Sequence, residues 1–309
     1  MTKCSLDDDQ ARQSREGTMK RFRAHPQRYE RLRQIETMDV EQEFEAIYRL
    51  TSMVELPWEF RFGWNLAFYR SFAVPRMAVL LAETGEIENQ TMKRARDTGL
   101  MMYELFEQGL DHPRSREVIR RLNRMHHRWD IEQDDYRYIL TTFAVVPTRF
   151  AERFGWRPVS ALELDATHRF YTELGRRMGI RSIPGSYAAM ADFLDEYEAR
   201  EVRYSPQGAR LTGRTLPFLA SRLPGPLRKR TAEVAGEFLD PRLCAALGLP
   251  APRRTTQAVV RGALAGRRAV VRRQPPDDGS WFTPGMASDT YPDGYQLSEL
   301  GPVRTPGGD

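Results

Sequence analysis

Two of the five histidines in this 309-residue chain are adjacent, in the run Arg121-Leu-Asn-Arg-Met-His126-His127-Arg-Trp129. On a helix turning about 100° per residue, His126 falls about 40° from Leu122 and His127 about 140° from it. His126 therefore points into the apolar stripe and His127 away from it. A neutral imidazole among apolar side chains suits the proximal ligand of a heme iron, because nothing charged competes for the metal and the low dielectric tunes it. It equally suits a core histidine hydrogen-bonded to a backbone carbonyl. A second pair lies in Lys93-Arg94-Ala-Arg96-Asp97-Thr98, where Arg94 and Thr98 share a helical face with Met101 and Leu105. A guanidinium on an apolar face demands a polar or anionic partner. That partner is a carboxylate such as Asp97 or one on a neighbouring helix, or else dioxygen beside a heme iron or a heme carboxylate.

Other constellations carry less. Asp134-Asp135 and the Asp195, Glu196, Glu198 cluster have no companion histidine at metal-ligand spacing and read as exposed acidic faces or helix ends. There is no Gly-rich phosphate loop, serine nucleophile elbow or HExxH, which removes the common nucleotide, hydrolase and zinc-protease readings. Gly-Arg-Arg at 175–177 and 266–268 is basic but does not interleave with aromatics as nucleic-acid platforms do.

These residues must be positioned by helices. Ser160 and Glu163 have capping-box spacing, and Leu162, Ala166, Phe170, Leu174 and Met178 then recur every four residues, predicting a helix over about 160–178. His112-Pro113 opens another, with Val118, Leu122, Met125 and Trp129 as its buried stripe. A third spans about 89–108 and is closed by Gly109. Further helices are predicted at 40–55, 64–84, 133–152 and 186–202. Alternating strand patterns are nearly absent, so the fold class is all-α. The organisation reads as a polar N-terminal arm (1–39), a helical domain (40–205), a basic, Pro-broken helical extension (206–273), and a largely disordered tail (274–309) in which Trp281, Phe282, Tyr291 and Tyr295 are unexpectedly aromatic.

Composition sets the outer limits. Hydrophobic residues make up 40% and charged residues 29%, which fits a soluble chain rather than a disordered or multi-span membrane one. Basic and acidic residues interleave through the first two hundred positions and the surplus of 47 Lys+Arg over 42 Asp+Glu sits late, in stretches such as 227–230 and 267–273, with no nucleic-acid motif beside it, so a nucleic-acid partner is not expected. Cys4 and Cys244 form neither a disulfide framework nor a metal site, which favours a reducing cytoplasm. Asp7, Asp8 and Asp9 exclude a secretory signal, and the apolar stretch 72–82 is broken by Pro75 and Arg76, far short of a membrane span.

Six motifs together resemble one family: Phe68-Tyr-Arg70-Ser-Phe-Ala-Val-Pro75, Arg94-x-x-x-Thr98, Gly109-Leu-Asp-His-Pro113, Asn123-Arg-Met-His126, Phe154-Gly-Trp-Arg-Pro158, and Gly175-Arg-Arg-Met-Gly179-Ile-x-x-Ile-Pro184. Over about residues 55–210 the sequence resembles the oxygenases that include the fungal MpaB-type prenyl-chain enzymes and, more distantly, the bacterial rubber oxygenase called latex clearing protein. The resemblance implies a globin-like helical core with additional C-terminal helices, holding heme b and using dioxygen on a C=C bond of an isoprenoid chain. It places the proximal iron ligand on His126 and the distal pair on Arg94 and Thr98. Where the rubber-oxygenase branch has a lysine able to reach the iron, this chain has Asp97, which cannot supply that ligand. Asp97 either accepts a proton during oxygen chemistry or neutralises Arg94. That branch also has an upstream catalytic glutamate; Glu83, Glu86 and Glu88 are near, and none is carried over.

The resulting expectation is a cytoplasmic heme-dependent oxygenase of an apolar isoprenoid or lipid-like substrate, without the membrane anchor of fungal members and with peripheral membrane contact left open. Arg70, Arg121 and Arg124 are candidates to pair with heme propionates. Segments 64–72 and 101–106 line a substrate channel or simply form core. The alternatives are a heme-dependent hydroxylase or peroxidase-like enzyme of secondary metabolism, and a non-catalytic helical protein that binds a lipid or a partner.

Overall fold

The computed structural model describes residues 24–302 except Arg222 and Pro224. Cys4, the Asp7 to Asp9 run, the first 23 positions of the expected arm, and residues 303–309 lie outside the described residues. The described chain forms fourteen α-helices and no strand, with one isolated bridge between Ser288 and Tyr291. The fold is all-α, as the periodicity predicts.

The helices are α1 (Glu30–Glu36), α2 (Val40–Arg49), α3 (Pro57–Arg70), α4 (Pro75–Glu83), α5 (Glu86–Gln108), α6 (Pro113–His126), α7 (Gln133–Phe154) and α8 (Ala161–Arg177). They continue as α9 (Tyr187–Glu201), α10 (Pro206–Ala220), α11 (Gly225–Arg228), α12 (Thr231–Glu237), α13 (Pro241–Ala246) and α14 (Arg254–Arg273). The capping box at Ser160 and Glu163 is complete, each side chain meeting the other's backbone N–H. Pro113 stands first in α6, and His112 Nδ1 accepts from the Arg114 amide. The single helix expected over 64–84 is instead α3, a 3-10 turn and α4. Pro75 has no N–H to continue a helix and begins the next one. The helix expected over 40–55 is α2 followed by a π-helical turn at Leu50–Glu55. Trp129, expected in the buried stripe of α6, lies beyond its end and is 38% exposed.

The core is aromatic. Tyr48 stacks on Phe170 at 4.5 Å between ring centroids, and Trp64 stacks on Phe106 at the same separation. The Tyr48 and Tyr171 hydroxyls, both buried, meet at 2.9 Å, so neither is stranded. Helices α3 and α7 cross closely because Gly63 faces Pro147. A methyl on Gly63 would lie 2.8 Å from Pro147 Cβ and closer still to its Cα. Gly63→Ala is therefore expected to separate α3 from α7 and destabilise the fold by about 1–3 kcal/mol, read as a lowered thermal midpoint. An unchanged midpoint would mean that the crossing relaxes freely.

Two peripheral segments correct the sequence reading. Part of the polar arm belongs to the body: Ile35 is buried against Ile47 and Ala166, and Arg28 lies over the Trp156 ring at 4.3 Å. The tail expected to be disordered is, over 274–302, a strap with Phe282, Tyr295 and Leu300 buried. Its aromatics supply the apolar area that a Pro/Gly-rich segment needs to dock without regular structure. The basic run 267–273 also turns partly inward. Arg267 pairs with buried Glu59 at 2.6 Å, and Arg272 donates to the Trp156 carbonyl at 2.9 Å.

Candidate active site

Helices α5 and α6 bring three of the expected site residues together. Arg94 and Thr98 stand one turn apart on α5. The Arg94 guanidinium donates to the Thr98 hydroxyl oxygen, and that hydroxyl donates back to the Arg94 carbonyl at 3.0 Å. Burial pulls the Arg94 pKa below its ordinary value, opposed by the charges of Asp97 and Glu86. Of the upstream glutamates, Glu86 reaches Arg94 with its charge and Glu83 is exposed.

His126 ends α6, half-buried, with the edge of Tyr136 set against it at 5.8 Å and 80°. Its Nδ1 is buried and has no hydrogen-bond partner among the described residues. Burial first, then the charges of Arg94 and His127, push its pKa down to about 4. The imidazole is therefore neutral at physiological pH, an available nitrogen donor within electrostatic reach of a desolvated guanidinium. The core alternative, in which His126 bonds a backbone carbonyl, lacks that bond.

The other expected site residues have different uses. Asp97 is fully buried, and its carboxylate accepts from Lys93, from the Tyr291 hydroxyl at 2.7 Å and from the Gly301 amide at 2.9 Å. It fastens the strap to α5, and its influence on Arg94 is through charge alone. Asp97→Ala would strand these donors, so faster amide exchange and proteolysis confined to 281–301 are expected. Uniform protection as in the parent chain would overturn this role. Arg70 pairs with Glu198, Arg121 donates to the Leu300 carbonyl at 2.6 Å, and Arg124 reaches Glu117 on the surface at 3.3 Å. None of the three is left without a protein partner to await a propionate. Two acids expected on exposed faces are also buried. Asp135 takes Arg76 Nε at 2.9 Å and the Tyr197 hydroxyl, and Glu198 takes Arg70 and the Tyr138 hydroxyl.

A cavity of about 370 Å³ adjoins Thr98, within the roughly 300–1,000 Å³ of small-molecule sites. Trp64, Phe68, Tyr69, Met102 and Tyr103 line it, while Phe72, Met101, Leu105 and Phe106 of the same two segments are core. Sequence reasoning missed two further lining residues, Arg61 and Arg96, and left Trp281 in a disordered tail. The spacing Arg61, Trp64, Phe68 is a helical face and would have exposed the first. The other two depend on the strap. Helix α10 closes the cavity with Thr215 and Phe218.

Among the described residues no helix is long and apolar enough to cross a membrane. A family model described as "ER-bound oxygenase mpaB/B'/Rubber oxygenase, catalytic domain" matches residues 59–271. The chain is 29% identical over 244 residues to "ER-bound oxygenase mpaB'" of Penicillium brevicompactum, covering 73% of this chain and 58% of that protein. It is 30% identical over 164 residues to "ER-bound oxygenase mpaB" of the same organism, covering 50% of this chain and 42% of the other. The chain spans about half the length of these curated relatives. With most of its length inside the family match, and α3 to α14 forming the body that holds His126, Arg94 and Thr98, the chain belongs to the MpaB and rubber-oxygenase catalytic-domain family.

Proposed function

We propose that this chain is a heme-dependent oxygenase that uses dioxygen to oxidise or cleave a C=C bond in an apolar, isoprenoid or lipid-like substrate. The observation that carries this reading is the His126 imidazole, held neutral and with its buried Nδ1 unpartnered among the described residues, within electrostatic reach of the desolvated Arg94 cation. The donor set favours a porphyrin over a bare ion. Among the described residues no group of three or more His, Cys, Asp and Glu could hold a metal, whereas a porphyrin brings its own four nitrogens and would need a single imidazole from the protein. His126 is that ligand. When bound, the heme supplies the redox chemistry that activates dioxygen.

The remaining roles fall to side chains. Arg94 is a fixed cation in a poorly solvated position, a donor preorganised for negative charge developing on oxygen. Thr98 keeps it there. Because the Thr98 hydroxyl already donates to the Arg94 carbonyl, it orients the guanidinium rather than delivering a proton. The aromatic and Met-lined cavity next to Thr98 receives the apolar substrate and excludes water.

The test is the visible spectrum of the chain expressed with added heme, followed by product analysis with ¹⁸O-labelled dioxygen. A Soret band, and label on both fragments of a cleaved isoprenoid, is the expected result. Label in a single hydroxyl would make the enzyme a hydroxylase. A folded, colourless chain would remove the heme reading.

A further inference from the structure

The cavity beside Thr98 has apolar walls but an excess of hydrogen-bond donors. Arg61 on α3 and Arg96 on α5 both line it, and the Nε of each is buried without an acceptor. The indole Nε1 atoms of Trp64 and Trp281, also in the lining, are two more buried donors without a partner among the described residues. No lining residue contributes a buried acceptor that is short of a donor. Arg61 stacks on the Trp281 ring at 4.0 Å and has no carboxylate partner among the described residues. Arg96 meets only Asp289 of the strap, at 2.9 Å, and the Asp289 side chain is 94% exposed. An exposed ion pair of that kind is worth little and gives way readily to a better-buried acceptor.

A site with two guanidinium groups, two orphaned indole donors and apolar walls is complementary to an amphipathic molecule with an oxyanion head. With Asp289 in place, the formal charge contributed by Arg61, Arg96 and Asp289 is +1, which matches a monoanion better than a phosphate ester. We propose that Arg61, Arg96 and Trp281 form a carboxylate-reading end of the cavity, so that its ligand is an apolar molecule bearing a carboxylate. This deepens the functional reading and rests on the cavity being the substrate site. The same carboxylate chemistry has two sources, an apolar acid substrate or the propionates of a porphyrin, and the measurement separates them.

The probe is cis-parinaric acid, an apolar conjugated carboxylate, bound to the full purified chain and read by energy transfer from tryptophan, since Trp64 and Trp281 line the cavity. Its methyl ester serves as the uncharged comparison. In the parent chain the acid should bind about tenfold to a hundredfold more tightly than the ester, as expected for charge-assisted bonds in a partly buried site. Arg61→Gln and Arg96→Gln should each weaken the acid by about tenfold and leave the ester unchanged, with Arg61→Lys recovering part of the loss. Asp289→Asn, which removes the competing acceptor, should tighten the acid severalfold, an effect of opposite sign that loss of structure would not produce. Equal affinity of acid and ester in the parent chain would overturn the proposal, and needs no variant to fold. Tighter binding of farnesyl phosphate than of the acid would overturn the assignment to a carboxylate.

Hemin and its dimethyl ester are titrated in parallel. If the arginine variants weaken hemin and not parinaric acid, the carboxylate belongs to the porphyrin; if the reverse, to the substrate. Parinaric acid binding requires no iron, so a colourless protein that still prefers acid to ester would sink the heme reading and leave the carboxylate site standing.

Discussion

His126→Ala is expected to purify folded and without bound heme. The parent side chain is half-buried, and its Nδ1 has no partner, so removing it strands no neighbouring group. The stability change should stay within about 1 kcal/mol, whereas loss of a structural, hydrogen-bonded histidine would leave an unpaired partner and cost more. The visible spectrum should lose the Soret band, and imidazole added to the medium should restore part of it by filling the vacated position. Arg94→Ala, by contrast, should keep the band while losing turnover. A Soret band undiminished in His126→Ala would end the ligand assignment. The pH dependence has a definite sign. The imidazole takes a proton at about 4 when folded and near 6.5 when unfolded. Its contribution to stability is therefore fully present above pH 6.5 and is lost as pH falls from 6.5 toward 4, where the unfolded chain binds the proton first.

The largest stability effect is expected at Arg157. Its side chain is fully buried and forks onto Glu163, with bonds of 2.7 and 2.8 Å, while Nε lies 3.5 Å from Glu55. Glu163 also accepts from Thr51 and from the Ser160 amide, each at 2.8 Å. Arg157→Met would leave two buried carboxylates facing an apolar side chain, at a cost of about 3–5 kcal/mol. That should lower the thermal midpoint by roughly 5–15 °C. Burial alone would raise the Glu163 pKa. The bonds and charge of Arg157, with Ser160 and Thr51, outweigh it and hold the carboxylate below its ordinary value. The stability Glu163 supplies is present above its unfolded pKa and fades as pH falls through the lower folded value. In the variant that pKa rises, so the stability gap between the two chains should narrow between pH 7 and pH 4.5. A gap independent of pH would show that Arg157 acts through packing rather than charge.

The motif 154–158 has a structural use in this chain. Trp156 donates to the Glu55 carbonyl at 3.1 Å and Arg157 ties that region to α8. Local signals of this kind were legible: the capping box at Ser160, the proline that opens α6, and the four-residue step joining Arg94 to Thr98 each act within a turn or two of helix. The inward direction of His126 was legible as well, since period alone fixes it. What escaped was long-range. Asp97 could not be read as a strap anchor because its partners Tyr291 and Gly301 lie about two hundred residues away. Arg70 and Arg121 looked free because Glu198 and the Leu300 carbonyl lie 128 and 179 residues away. The strap itself has no period, and its burial shows only in the aromatic content that a linker would lack.

The strap also orders events during synthesis. Its anchor joins Gly301 to Asp97 across 204 positions, and Trp281, Phe282 and Met286 are a wall of the cavity. A growing chain can pack α3, α5 and α7 around one another long before these residues leave the ribosome. At that stage the pocket is an open trough. Loop closure over such a separation is slow and comes after local helix packing. A ligand arriving during translation therefore meets an open face and is enclosed afterwards, by a stretch of chain that emerges well after those helices.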